Sequence, residues 1–151
     1  MSARVLALLA LLVLAAPAAS LASGAAHTAR TVSLTESGHL HLTSSHQLHL
    51  NEQGSASGTI RGQIYIHLDV SSQHSVSAEV NIYPSGGSLS GNGSASYHVV
   101  GGYADFSGSL SITRGTGTYA HANARNLRFT GSIQRSNDAV DVKLSGTLHY
   151  G

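Results

Sequence analysis

The sequence predicts an all-β protein, folded as a single antiparallel β-barrel of about eight strands. Apolar and polar residues alternate with a period of two over most of the chain after Thr31, which is typical of strands that bury one face. Short turn segments rich in Gly, Pro, Asn and Ser separate these stretches, and none of the stretches has the periodicity of a helix. Because an open sheet has two exposed edges, closure into a barrel is favoured. A two-sheet β-sandwich is the alternative architecture.

Residues 1–22 have the features of a Sec-type signal peptide. Arg4 precedes an uninterrupted apolar run of 12 residues, 5–16, and Pro17 ends this run. A transmembrane helix needs about 20 apolar residues, so the run is too short to span a membrane. The sequence therefore predicts a signal peptide and not a membrane anchor.

Cleavage is predicted after Ala22, because Ser20 and Ala22 place small residues at the −3 and −1 positions, and cleavage after Ala18 is the second choice. The chain has no Cys, so no lipid can be attached at a cleavage-site cysteine. Disulfides, thiolate metal ligands and cysteine nucleophiles are excluded for the same reason. We expect residues 23–151 to be a secreted β-barrel domain that does not span a membrane.

The first alternating segment, residues 38–50 (GHLHLTSSHQLHL), predicts a β-hairpin with the loop Ser44-Ser45-His46. In this hairpin the numbers of paired positions sum to 90, so His41 faces His49. One face then carries four leucines and the other carries His39, His41 and His49. Imidazoles at opposed positions lie close enough to bind one metal ion, because their Cβ atoms are ~4.5–5.5 Å apart.

The sequence therefore predicts a candidate site for Zn²⁺ or another divalent transition metal at His39, His41 and His49. His149, on the last strand, would be a fourth ligand if barrel closure brings that strand beside the first. The alternative is a set of scattered surface histidines, because only Glu36 and Glu52 are near enough in sequence to orient the rings.

The remaining strands follow from the same alternation. Turns are predicted at residues 84–87, 101–102 and 135–138. The predicted apolar faces, in chain order, are Ile60, Ile64, Ile66, Leu68 and Val70; Val76, Ala78, Val80 and Ile82; Leu89, Gly91, Gly93, Ala95, Tyr97 and Val99; Ala104, Phe106, Gly108, Leu110 and Ile112; Leu127, Phe129, Gly131 and Ile133; and Val140, Val142, Leu144, Gly146, Leu148 and Tyr150. The glycines on these faces indicate either strong bending of the sheet or close approach of another group, such as a ligand.

Residues 115–122 (GTGTYAHA), between two strands, resemble the Gly-Thr-Gly-x-aromatic-x-x-Ala element of dirigent-like and allene-oxide-cyclase-like barrels, although Arg114 stands where that element usually begins with Gly. Together with residues 87–90 (GSLS) and 145–148 (SGTL), the segment also resembles small secreted bacterial proteins of unknown function, over roughly residues 57–151. The resemblance implies a calycin-type antiparallel barrel. Dirigent-like and cyclase-like proteins shape reactive apolar intermediates in such a barrel, but none of their catalytic residues has a matching position here.

The amino-acid composition argues against several classes of protein. The chain has 8 basic and 7 acidic residues among 151, which argues against a nucleic-acid binder with a basic surface. Its hydrophobic fraction of 41% argues against a disordered chain. No nucleophile elbow or phosphate-binding loop is present. The 10 histidines, which outnumber Lys and Arg together, are the unusual feature of the composition.

These observations predict a non-enzymatic binding or surface-structural module, whose partner is a small apolar ligand or an extracellular or cell-surface polymer. One alternative is a cyclase-like or isomerase-like enzyme that acts on an apolar molecule inside the barrel, and another is a His-mediated metal-binding protein. The enzyme needs a cavity with at least one inward acid or base. The predicted inward set has no charged member except Glu36, which favours the binding module.

Overall fold

The computed structural model describes residues 28–151, so the predicted signal peptide and its cleavage site lie outside the described residues. The described part contains eight strands: β1 (Arg30–His46), β2 (His49–Gly58), β3 (Gly62–Ser72), β4 (Ser75–Pro84), β5 (Gly87–Val100), β6 (Tyr103–Gly117), β7 (Ala124–Gln134) and β8 (Ala139–Tyr150). Each strand pairs antiparallel with the next, and β8 pairs with β1 to close the barrel. The predicted barrel is confirmed, and the two-sheet alternative is wrong. Within residues 28–151, no helix has the length and apolar character needed to cross a membrane.

Alternation of apolar residues determines which side of each strand faces the interior. The predicted apolar faces point inward and form the core, while the polar faces are exposed. Val99 is an exception among the larger side chains, because it lies next to the β5–β6 turn and is 53% exposed. The register places inward residues of neighbouring strands side by side, as with Ile64 and Ile82. The period of two therefore fixes the inner surface of the barrel.

Two inward glycines give space to aromatic rings on neighbouring strands. Gly131 pairs with Phe106, and Gly108 pairs with Phe129. A Cβ atom on Gly131 would lie 2.3 Å from the Phe106 ring, and one on Gly108 would lie 2.0 Å from the backbone oxygen of Ser94. Neighbouring backbone and rings therefore occupy the space that a side chain at either glycine would need.

The β1–β2 hairpin forms, but its predicted register is wrong. The turn consists of Gln47 and Leu48, so His46 pairs with His49. A register shift between Leu42 and Ser44 follows, and His41 then faces Gln53 instead of His49. A two-residue turn matches the twist of the flanking strands, and Gln47 provides its positive φ of 55°. The polar Ser44-Ser45 segment remains within β1 and is not the loop.

The two ends of the barrel differ. At the end that holds the β2–β3, β4–β5 and β6–β7 connections, which we call the closed end, Leu127 and Leu148 are at most 1% exposed. The rings of Tyr119 and Tyr150 pack there with centroids 5.1 Å apart. At the opposite end, which we call the mouth, inward side chains such as Val70 are only half-buried. The interior is therefore accessible from the mouth.

Candidate functional site

The barrel is hollow. Its interior holds a cavity of about 340 Å³, and side chains from all eight strands line it. In a filled barrel the inward side chains would be fully buried, but Ile66, Phe129 and Leu144 keep accessible surface although they point inward. The volume lies within the ~300–1,000 Å³ that is usual for small-molecule sites. The sequence alone did not decide between a filled barrel and a hollow one.

The wall of the cavity is almost entirely apolar, and Glu52 is the main exception. Glu52 points inward from β2, where it pairs with Leu42 on β1 and Ile66 on β3. It is 4% exposed and is the one buried polar or charged residue among residues 28–151. Its Oε2 atom is buried and has no hydrogen-bond partner. Burial, and to a lesser degree the charge of Asp138, raise the pKa of Glu52 to about 7 from its ordinary 4.5.

Glu36 is a second inward carboxyl, but the protein uses it for a structural contact. Its Oε1 atom accepts a hydrogen bond from the backbone N–H of Ile60 at 2.8 Å, which fixes the β2–β3 connection to β1. Burial raises the pKa of Glu36, whereas hydrogen bonds from Ile60 and Thr59 lower it. Its Oε2 atom is buried without a partner. Glu36 therefore belongs to the packing of the closed end.

The two carboxyls do not form an acid pair. Glu36 pairs with Gly58, and Glu52 pairs with Leu42, so six residues of β1 separate their levels in the barrel. At ~3.3 Å per residue this separation is roughly 20 Å. Each carboxyl therefore acts separately, and Glu52 is the acid in the part of the cavity nearer the mouth.

The sequence identified Glu36 as an inward acid but missed Glu52. Leu48 and Leu50 occupy the leucine face of the predicted hairpin, and one further step of the same alternation reaches Glu52. That step places a carboxylate in a predicted core, and the pairing of β2 with β3 runs without a shift from Leu50 to Glu52, so the alternation along β2 keeps its phase. The signal for Glu52 was therefore present in the sequence.

The four histidines of the predicted metal site do not meet. His39 contacts the carboxylate of Asp141, and His49 contacts that of Asp69, each across a strand pair on the exposed outer face. Two further members of the set, His41 and His149, pair with Ala139 and Thr31 respectively. These two pairs are ten residues apart along β1, which is roughly 33 Å.

β8 does lie beside β1, as the fourth-ligand prediction required, but His149 is at the closed end and His41 is near the mouth. The Nδ1 atom of His149 lies 2.9 Å from the hydroxyl of Thr31. Among residues 28–151, no group of three or more His, Asp or Glu side chains has an arrangement that could hold a metal ion. The four histidines are therefore separate surface groups in this structure.

Comparisons with models of protein families, with curated proteins and with solved structures found no match to this chain. The candidate site is accordingly defined by its own geometry. It consists of an apolar cavity, an opening at the mouth and one unpartnered buried carboxyl.

Proposed function

We propose that this protein is a binding module that holds a small apolar molecule inside its barrel. The observation that carries this proposal is the apolar cavity of about 340 Å³. A cavity of this kind stays poorly hydrated, since water needs several polar partners to remain in it. An apolar ligand that enters it gains dispersion contacts with the wall and loses its own exposure to water.

The experiment is a fluorescence titration of residues 23–151 with N-phenyl-1-naphthylamine, an uncharged dye that brightens in apolar surroundings. We expect saturable binding of one dye per chain. Ala78→Leu extends a side chain into the cavity from β4, so it should weaken binding at least tenfold. Ser77→Leu adds the same side chain at the neighbouring exposed position and is the matched control. Absence of saturable binding, or equal affinity of both variants, contradicts the proposal.

A second candidate function is proton-transfer catalysis on an apolar molecule, as in the cyclase-like or isomerase-like alternative. The observation that favours it is Glu52, because a carboxyl with a pKa of about 7 in an apolar cavity suits a general base at neutral pH. On a β,γ-unsaturated ketone, the Glu52 carboxylate would remove a proton from the α carbon and return it to the γ carbon.

The conjugated product absorbs in the ultraviolet, so 3-cyclohexenone serves as a probe substrate for this second candidate. Turnover should be lost in Glu52→Gln and kept in Glu79→Gln, which changes an exposed glutamate on β4. If the unmodified protein gives no turnover above buffer, proton-transfer catalysis on such ketones is excluded.

We also propose that the protein is secreted after cleavage behind Ala22, and that its barrel is of the calycin type. Support comes from the apolar run of residues 5–16 and from the resemblance of residues 115–122 to the dirigent-like element. N-terminal sequencing of the exported protein tests the first part. The expected first residue is Ser23, and a product that still begins at Met1 contradicts it.

A further inference from the structure

We propose that the ligand of this cavity is a small apolar molecule that ends in an amine, and that its ammonium group pairs with the carboxylate of Glu52. This inference rests on the proposed binding function and adds the chemical class of the ligand. Glu52 is the residue that would recognise the amine, since the rest of the wall near it is hydrocarbon.

The side chain of Glu52 has no hydrogen-bonding or ionic partner among residues 28–151. Buried carboxylates in proteins are almost always paired or hydrogen-bonded, and an exception calls for an explanation. The Oε2 atom of Glu52 is buried without any partner. Within residues 28–151, every Lys and Arg is exposed and no ion pair includes Glu52. No cationic side chain of the described residues is therefore paired with Glu52.

The charge that acts on Glu52 from its surroundings is negative. Leu42 and Ile66, which flank Glu52 on the neighbouring strands, carry no charge. Asp138, in the turn between β7 and β8 at the mouth, is the titratable group whose charge acts on Glu52. Two carboxylates of like sign repel an anionic head group, such as that of a fatty acid, and attract an ammonium group.

Uncharged ligands suit the surroundings of Glu52 less well than an ammonium group does. A wholly apolar ligand would leave the carboxylate of Glu52 unpaired in apolar surroundings, which is unfavourable. An alcohol would donate one neutral hydrogen bond. An ammonium group donates charge-assisted hydrogen bonds, which are roughly twice as strong as neutral ones. Among small apolar molecules, the cavity therefore favours a primary amine.

The experiment compares three ligands with the same number of chain carbons: decylamine, decanol and decanoic acid. Each displaces N-phenyl-1-naphthylamine from residues 23–151 at pH 8. We expect decylamine to bind at least tenfold more tightly than decanol and decanoic acid to bind most weakly. In Glu52→Gln, the dissociation constants of decylamine and decanol should come within threefold of each other. Glu79→Gln, on the exposed face of β4, should keep the full preference.

A second measurement uses pH. Decylamine stays protonated up to about pH 10, as the lysine side chain does, so titration between pH 5 and pH 8 reports on the protein. Its affinity relative to decanol should rise about tenfold or more from pH 5 to pH 8 as Glu52 loses its proton, and this rise should disappear in Glu52→Gln.

The outcomes separate the two proposals. If neither the dye nor decanol binds, the binding function itself is wrong. If both bind but decylamine has no preference over decanol, or keeps its preference in Glu52→Gln, only the amine inference is overturned. Tightest binding of decanoic acid also overturns it.

Discussion

Replacing Glu52 by Gln should make the stability of the protein less dependent on pH. The pKa of Glu52 lies near 7 in the folded state and 4.5 is its ordinary value. Holding this carboxyl in its charged form therefore costs about 3 kcal/mol on folding, at 1.36 kcal/mol for each tenfold change in proton affinity. Gln has the shape of the protonated acid and cannot become charged, so the variant avoids this cost.

The sign follows from proton binding. Between pH 4.5 and pH 7 the folded state binds more protons at Glu52 than the unfolded state, so the free energy of unfolding falls as pH rises through this interval. Above about pH 8, Glu52 is charged in the folded and the unfolded state, and the free energy of unfolding falls no further on its account. Relative to the unmodified protein, Glu52→Gln should therefore be of similar stability near pH 4.5 and more stable by about 3 kcal/mol at pH 8.

Urea unfolding followed by far-ultraviolet circular dichroism, at several pH values from 4.5 to 8, measures the difference. Comparison with the unmodified protein removes the contributions of the histidines and of Glu36, which both proteins share. Glu79→Gln is the control and should follow the unmodified protein, because Glu79 is exposed. If the free-energy difference between Glu52→Gln and the unmodified protein stays constant over this range, the buried, charge-disfavouring environment assigned to Glu52 is wrong.

Two further predictions concern the wall of the barrel and its outer surface. Gly131→Ala should destabilise the fold by about 1–3 kcal/mol, because its Cβ would lie 2.3 Å from the Phe106 ring. Gly102→Ala is the control and should be nearly neutral in urea unfolding, because a Cβ there meets nothing within 4 Å. Equal effects of the two substitutions would contradict the close packing at Gly131. Calorimetric titration with Zn²⁺ should give the same isotherm for the unmodified protein and for the double variant His41→Ala, His49→Ala, because these two side chains lie apart. A saturable zinc site that the variant lacks would contradict the separation of the two histidines.

The fold could be predicted because one local rule governs nearly all of it. A strand that buries one face must alternate, and a change of phase would expose its apolar residues. The inward positions of β3 to β8 followed from this rule with few errors. Closure followed from the cost of exposed edges, which is also a general rule.

The register of the first hairpin could not be predicted with the same certainty. Several turns of two or three residues are compatible with the segment from Thr43 to Leu48, and the serines favour a loop in the wrong place. The structure instead places positive φ at Gln47, a residue type without a strong turn preference. Because the predicted turn lies a few residues too early in the chain, the predicted hairpin places His41 opposite His49, whereas the structure places His41 opposite Gln53.

The cavity was beyond sequence reasoning for a different reason. Whether eight strands enclose empty space depends on the tilt and stagger of the whole sheet, which set the radius of a barrel. No single residue encodes this radius. Glu52 was within reach of the alternation rule, but the rule alone does not tell whether an inward carboxyl is buried in packed side chains or faces a cavity.

The pairing of β1 with β8 also governs how the chain can fold. The seven pairings from β1–β2 to β7–β8 join strands that are neighbours in sequence. The seam instead joins Arg30 to Tyr150, so its closure carries the loop entropy of almost all the described residues. Until β8 is available, β1 and β7 both present unpaired edges on which other chains can add strands. A chain that stops before β8 is therefore prone to aggregate. The twelve residues of β8 decide whether the eight-stranded barrel closes.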